Sequence, residues 1–198
     1  MAPYPEVIHP IWLRLTHWIN VIAVIVMVMS GWRIYNASPI FAFSFPAAIT
    51  LGGWLGGALQ WHFAAMWVLF INGLVYLLLN ILTGRVVWKF FPISIPGIFR
   101  DLKAALSGHL THDDPRLYNM LQKLAYLFVI LDIIVIVLSG IVVWKSVQFP
   151  HLRALMGGYD NARIVHFVGM ALMLVFVVVH LVMVAIVPRT LLTMVRGR

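Results

Sequence analysis

The chain has 198 residues, 63% of them hydrophobic and only 10% charged, with a net charge of +8 and a mean hydropathy of +0.98. Such a composition lies outside the range of water-soluble domains and places the chain in a membrane. Cysteine is absent, which excludes disulfides, thiolate-held iron–sulfur clusters and covalently attached c-type haem.

Four stretches are long and apolar enough to cross about 30 Å of hydrocarbon as helices of roughly 20 residues. They run over about 11–35, 62–82, 118–144 and 162–187. The predicted fold is an all-α integral membrane protein, a four-transmembrane-helix bundle forming one membrane domain over 1–198. The first span, "LRLTHWINVIAVIVMVMSGW", is too long for a signal-peptide core and is followed by no small-residue cleavage site, so it is expected to be retained. The loop 36–61 is rich in Gly, Pro and aromatics and is expected to lie in the membrane interface. Its "NAS" at Asn36 matches a glycosylation acceptor, a short pattern of little weight. In the loop 83–117, "IPGIFRDLKAALSG" sets Ile98, Phe99, Leu102 and Leu106 opposite Arg100, Asp101 and Lys103. That spacing predicts a short amphipathic helix, either on the membrane surface or as a solvated loop helix. In the loop 145–161, "FPHLRALMGGYD" predicts a turn or short helix ending at Gly157-Gly158, with Asp160 able to cap the fourth span.

Four crossings put both termini on one side. That side carries ten Lys and Arg residues against four on the other, which predicts cytoplasmic termini, with loops 36–61 and 145–161 on the opposite side of the membrane. The positive charge is thus a topology signal, and nucleic acid is not an expected partner. Membrane lipid is.

Of eight histidines, His17, His62, His166 and His180 fall within or at the edge of spans, where an ionisable side chain is costly and marks a functional site by default. Because spans alternate in direction, depth pairs His17 with His180 near the cytoplasmic side and His62 with His166 near the opposite side. Fourteen residues separate His166 from His180, a rise of roughly 21 Å and nearly four whole turns. Both therefore look the same way. Two opposed imidazoles at each level are what a six-coordinate haem iron needs. Gly31 stands fourteen residues after His17, at the depth of the other pair, where a porphyrin needs room. Gly140 could serve similarly, and Gly73 lies close to the face of His62 at greater depth; each glycine alone is a weak signal, since Gly is common at helix contacts in membranes. The alternatives for these histidines are hydrogen-bonded packing residues, or a proton or metal pathway.

"RLTHW" in span one, a His opening span two, "YNMLQKLAY" opening span three and "HFVGMALMLVFVVVH" in span four resemble the bacterial cytochrome b561 family. That family includes the cytochrome b subunits of nickel–iron hydrogenase and formate dehydrogenase, and the resemblance implies a bacterial inner membrane with loops 36–61 and 145–161 periplasmic. The resemblance implies two non-covalent b haems with bis-His ligation by His17, His62, His166 and His180, in the pairing that depth suggests. It also implies electron transfer between the quinone pool and a periplasmic redox partner, a molybdoenzyme or hydrogenase. In the formate dehydrogenase relatives a quinone site lies beside the Asn of the third helix and a haem-ligand His. Asn119 and His180 match those positions, with Gln122 and Lys123 nearby. The loops "GWRIYNASPIFAF" and "GGWLGGALQWHFAAMW" resemble the subgroup paired with sulfite-oxidase-like molybdenum enzymes.

Arg14, Arg33 and Arg163 are placed to meet haem propionates; the alternative for each is a charge snorkelling to headgroups. Asp132 lies mid-span, where the expected arrangement is a neutral carboxyl hydrogen-bonded across helices to Asn72, and the alternative a proton relay to quinone. Asn20, one turn from His17, is expected to support packing or the haem pocket. Three functions compete: an electron-transfer subunit, a stand-alone quinone-linked oxidoreductase acting on a small species such as superoxide, and a haem-free transporter. Trp54, Trp61, Phe41, Phe43 and Phe149 give the periplasmic loops a large apolar surface, which favours docking to a partner protein, and a homodimer is an open alternative assembly.

Overall fold

A computed structural model describes residues 8–84, 93–107 and 119–197. Among these residues every regular element is a helix: α1 (Ile11–Ala37), a single 3-10 turn (Ala47–Ile49), α2 (Leu55–Leu82), α3 (Ile95–Leu106), α4 (Met120–Trp144), α5 (Pro150–Leu155), α6 (Tyr159–Ile186) and α7 (Arg189–Arg196). Helices α1, α2, α4 and α6 are the four that are long and apolar enough to cross a membrane. In hydrocarbon the backbone must satisfy its own hydrogen bonds, which is why these apolar runs are helical from end to end. The expectations for residues 85–92 and 108–118 lie outside the described residues.

The chain divides into two compact units, residues 1–85 with 192–198, and residues 86–191. In the first, α1 packs along α2. Asn72 of α2 clamps the pair: its amide nitrogen donates to Thr16 O at 2.8 Å and to Asn20 Oδ1 at 2.6 Å. Asn20 thus supports packing, as expected. The loop between the two helices is braced rather than slack. Asn36 donates to Phe45 O and accepts from Phe45 N, both at 2.8 Å, so its amide is committed to the loop. Trp32 stacks on Phe45 with centroids 4.7 Å apart, and Tyr35 on Phe43 at 5.3 Å. Leu51 N then returns to α1 by donating to Met29 O. Gly52 and Gly53, both at positive φ, turn the chain into α2, a conformation that glycine adopts without penalty. Helix α2 consequently begins at Leu55, two turns before the hydropathy-based start, and His62 lies inside it.

In the second unit α4 packs along α6. The short helix α5 has Pro150 at its start and ends before Gly157 and Gly158, both at positive φ. This agrees with the sequence-based expectation. The N-cap of α6 is Gly158, with no side-chain cap. Asp160 sits instead in the first turn, where its charge favours the helix dipole without capping. Helix α3 departs from a simple polar-out arrangement. Asp101 is buried and accepts from Met120 N at 2.7 Å, satisfying one of the orphan donors that start α4. Gly97 permits the approach, since a Cβ there would meet the Met120 side chain at 2.8 Å. Ile95, Phe99 and Leu102 remain exposed, an apolar face suited to the membrane surface. Helix α7, which sequence patterning did not suggest, brings its last turns to the first unit.

Candidate functional site

The four intramembrane histidines divide evenly between the units. His17 on α1 is half-buried, its ring edge-on to Trp18 with centroids 5.4 Å apart. The Asn72 clamp holds the carbonyl of Thr16, the residue immediately before it. His62 on α2 is half-buried, with Nδ1 3.1 Å from Ser30 Oγ of α1. A Cβ on Gly31 would stand 3.5 Å from His62 Cε1. Within the hairpin, then, Gly31 makes room for the imidazole; a Cβ at Gly73 would meet nothing within 4 Å.

His166 on α6 has the same surroundings, supplied by α4. Its Nδ1 lies 3.2 Å from Ser139 Oγ and 3.0 Å from Ile136 O. A Cβ on Gly140 would stand 3.1 Å from His166 Cε1, tighter than ordinary contact. His180 lies on the same unbroken helix and stacks on Phe176 at 6.0 Å and 13°. The helix is continuous from Tyr159 to Ile186, so the two histidines of α6 share a face, as their spacing predicts.

A carbonyl oxygen can only accept a hydrogen bond, so the contact with Ile136 requires the hydrogen of His166 on Nδ1. A neutral imidazole then carries its lone pair on Nε2. Metal-bound histidines are characteristically oriented in this way, by donation from the nitrogen that does not coordinate. The donor set and the small residues beside both imidazoles fit a haem held by Nε2. Among the described residues there is no cluster of three or more His, Asp and Glu that would hold a bare metal ion.

The remaining predicted residues are placed as follows. Arg14 Nη1 donates to Val195 O, so part of this guanidinium joins the start of α1 to the end of α7. Arg33 and Arg163 are half-buried near the ends of α1 and α6. Asn119 caps α4 in a reciprocal box with Gln122: Gln122 N donates to Asn119 Oδ1 at 2.7 Å, and Asn119 N to Gln122 Oε1 at 3.1 Å. Lys123, one residue on, is buried. Within the first unit the Asn72 amide nitrogen is directed to α1; within the second, Asp132 Oδ2 is buried with no hydrogen-bond partner. Asp132 lines a cleft of about 370 Å³ walled by Phe128, Leu131, Val135, Val168 and Gly169 of α4 and α6.

Ser30 and Ser139 were not singled out by sequence reasoning. Their signal is the dipeptide Ser-Gly, present once in each hairpin at Ser30-Gly31 and Ser139-Gly140.

The chain is 65% identical over 190 residues to the YedZ1 protein of Azospira oryzae, covering 96% of each chain. The name of that relative makes it a candidate subunit of a protein-methionine-sulfoxide reductase. No solved structure matches the chain. The model of the prokaryotic cytochrome b561 family matches residues 8–197, nearly the whole length, and agrees with four apolar helices that carry four histidines. The chain therefore belongs to the prokaryotic cytochrome b561 family, as a multi-pass membrane protein of electron transport whose family cofactor is b-type haem.

Proposed function

We propose that the chain is a di-haem cytochrome moving electrons across the bacterial inner membrane between the quinone pool and a periplasmic redox enzyme. The observation that carries this reading is the twin seating of His62 and His166, each with Nδ1 against an oxygen of the neighbouring helix. Haem supplies reversible one-electron chemistry at iron. His62 and His166 ligate one haem and His17 and His180 the other, in the pairing that depth along the spans suggests. The protein holds the four imidazoles in apolar helices that keep water from them. Arg33 and Arg163 meet propionates of the haem between His62 and His166, and Arg14, beyond its bond to Val195 O, those of the other.

Quinone is bound on the cytoplasmic side, by Asn119, Gln122, Lys123 and His180, with both termini on that side. The partner is a molybdoenzyme: the 65%-identical relative bears the name of a sulfoxide reductase subunit, and reduction of a sulfoxide consumes two electrons that such a subunit would deliver. The braced aromatic loop, with Phe41, Phe43 and Trp54 exposed, is the docking surface, since its side-chain and backbone hydrogen bonds hold these rings in place before any partner arrives.

Dithionite-reduced and oxidised spectra of the detergent-purified protein, with a pyridine haemochrome count, test this directly. Two low-spin b haems per chain, reducible by a quinol, are expected; a haem-free preparation from haem-replete cells overturns the reading.

A further inference from the structure

Ser30 and Ser139 are both fully buried and both stand next to the glycine that faces the histidine. Ser30 Oγ lies 2.6 Å from Val26 O, 3.2 Å from Met27 O and 3.1 Å from His62 Nδ1. Ser139 Oγ lies 2.7 Å from Val135 O, 3.0 Å from Ile136 O and 3.2 Å from His166 Nδ1. A hydroxyl has one hydrogen and two lone pairs. In both hairpins the hydrogen goes to carbonyl oxygens of the serine's own preceding turn, which can only accept. What each serine turns toward its histidine is therefore a lone pair, and the imidazole must supply the hydrogen from Nδ1.

The plainer explanation of a serine here is a small residue at a close helix contact. It accounts for the size of the side chain and not for the two Nδ1 distances, and alanine would fill the same space without bending the helix by back-bonding. For His166 the same tautomer follows independently from Ile136 O at 3.0 Å.

We propose that Ser30 and Ser139 are positioning residues that hold His62 and His166 as Nδ1–H tautomers with Nε2 presented for coordination, and so tune the potential of the haem they ligate. This rests on the axial roles given to His62 and His166 above. An acceptor on Nδ1–H makes the imidazole more basic and a better electron donor to ferric iron. Removing it disfavours the oxidised form and raises the potential.

The test uses the full-length purified protein and the variants Ser30→Ala, Ser139→Ala, Ser30→Thr and Ser139→Thr. Haem is counted first, then midpoint potentials are measured by optical titration and the ferric low-spin signals by electron paramagnetic resonance. Ser30→Ala is expected to shift one haem component to higher potential and alter its ferric signal, and Ser139→Ala to do so by less because Ile136 O still accepts from His166 Nδ1, with the threonine variants, which keep the hydroxyl, restoring both. Unchanged titrations in the alanine variants overturn the proposal, as do threonine variants shifted as far as alanine. If an alanine variant loses haem, the threonine variant decides: native potential supports the proposal, and loss of haem there too overturns it. A haem-free unsubstituted protein would instead defeat the functional reading on which the proposal rests.

Discussion

The α1–α2 hairpin and the α4–α6 hairpin are built alike around one histidine and differently around their buried polar side chains. In each, a Ser-Gly pair on one helix seats an imidazole from the other. Beyond that seat, the first hairpin closes with an amide whose two hydrogens both find oxygen on the facing helix. The second keeps a carboxyl in an apolar cleft with one oxygen unmatched. An unmatched polar group away from water is a cost that packing must offset. The shared part therefore marks what both hairpins are for, and the unshared part marks where the first is tied more firmly than the second.

The largest effects should come from the shared part. His62→Ala and His166→Ala are each expected to lower the haemochrome count by half, and retention of the full count would break the equivalence of the two seats. Next come the glycines. Gly140→Ala places a Cβ 3.1 Å from its imidazole and Gly31→Ala one at 3.5 Å, so the first should perturb the haem spectrum and cost about 1–3 kcal/mol as overpacking. The second should remain close to the unsubstituted protein, and equal damage from both would mean that the glycines serve something other than the ring.

The buried polar residues sharpen the comparison because they should differ in sign. Asn72→Ala is expected to destabilise by about 1 kcal/mol, whereas Asp132→Leu removes an unmatched group and should leave thermal stability equal or higher. A large loss at Asp132 would show that its carboxyl has a partner that matters. The smallest change in stability is expected for Asn119→Ser. Serine caps a helix about as well as asparagine, so melting should hardly move, while a quinone contact by the carboxamide predicts slower quinol oxidation. Unaltered oxidation would leave Asn119 with the capping role alone.

The four spanning helices were legible in the sequence because hydrocarbon leaves the backbone no other arrangement. Their ends were less so. Hydropathy marks where a chain enters the apolar layer, whereas a helix starts where its hydrogen bonding starts, which is why α2 reaches back to Leu55 through "LGGALQW". Helix α7 escaped notice because its eight residues mix Arg and Thr with Leu and Val. At the site, the histidines stood out by the cost of burying them. Ser30 and Ser139 did not, since a lone serine reads as a spacer and the imidazoles that they touch lie 32 and 27 residues away.

Near the start of α1, Ile8 N and His9 N both reach Gly197 O, at 2.9 and 3.3 Å, and Arg14 reaches Val195 O. A segment made late thus completes a unit that was begun first. During synthesis α1 and α2 leave the ribosome and enter the bilayer well before residues 192–197 exist, so the first hairpin must persist without its final contacts while the entire second unit is threaded through the translocon. Its amide clamp, drawn only from residues already made, is available to hold it through that interval.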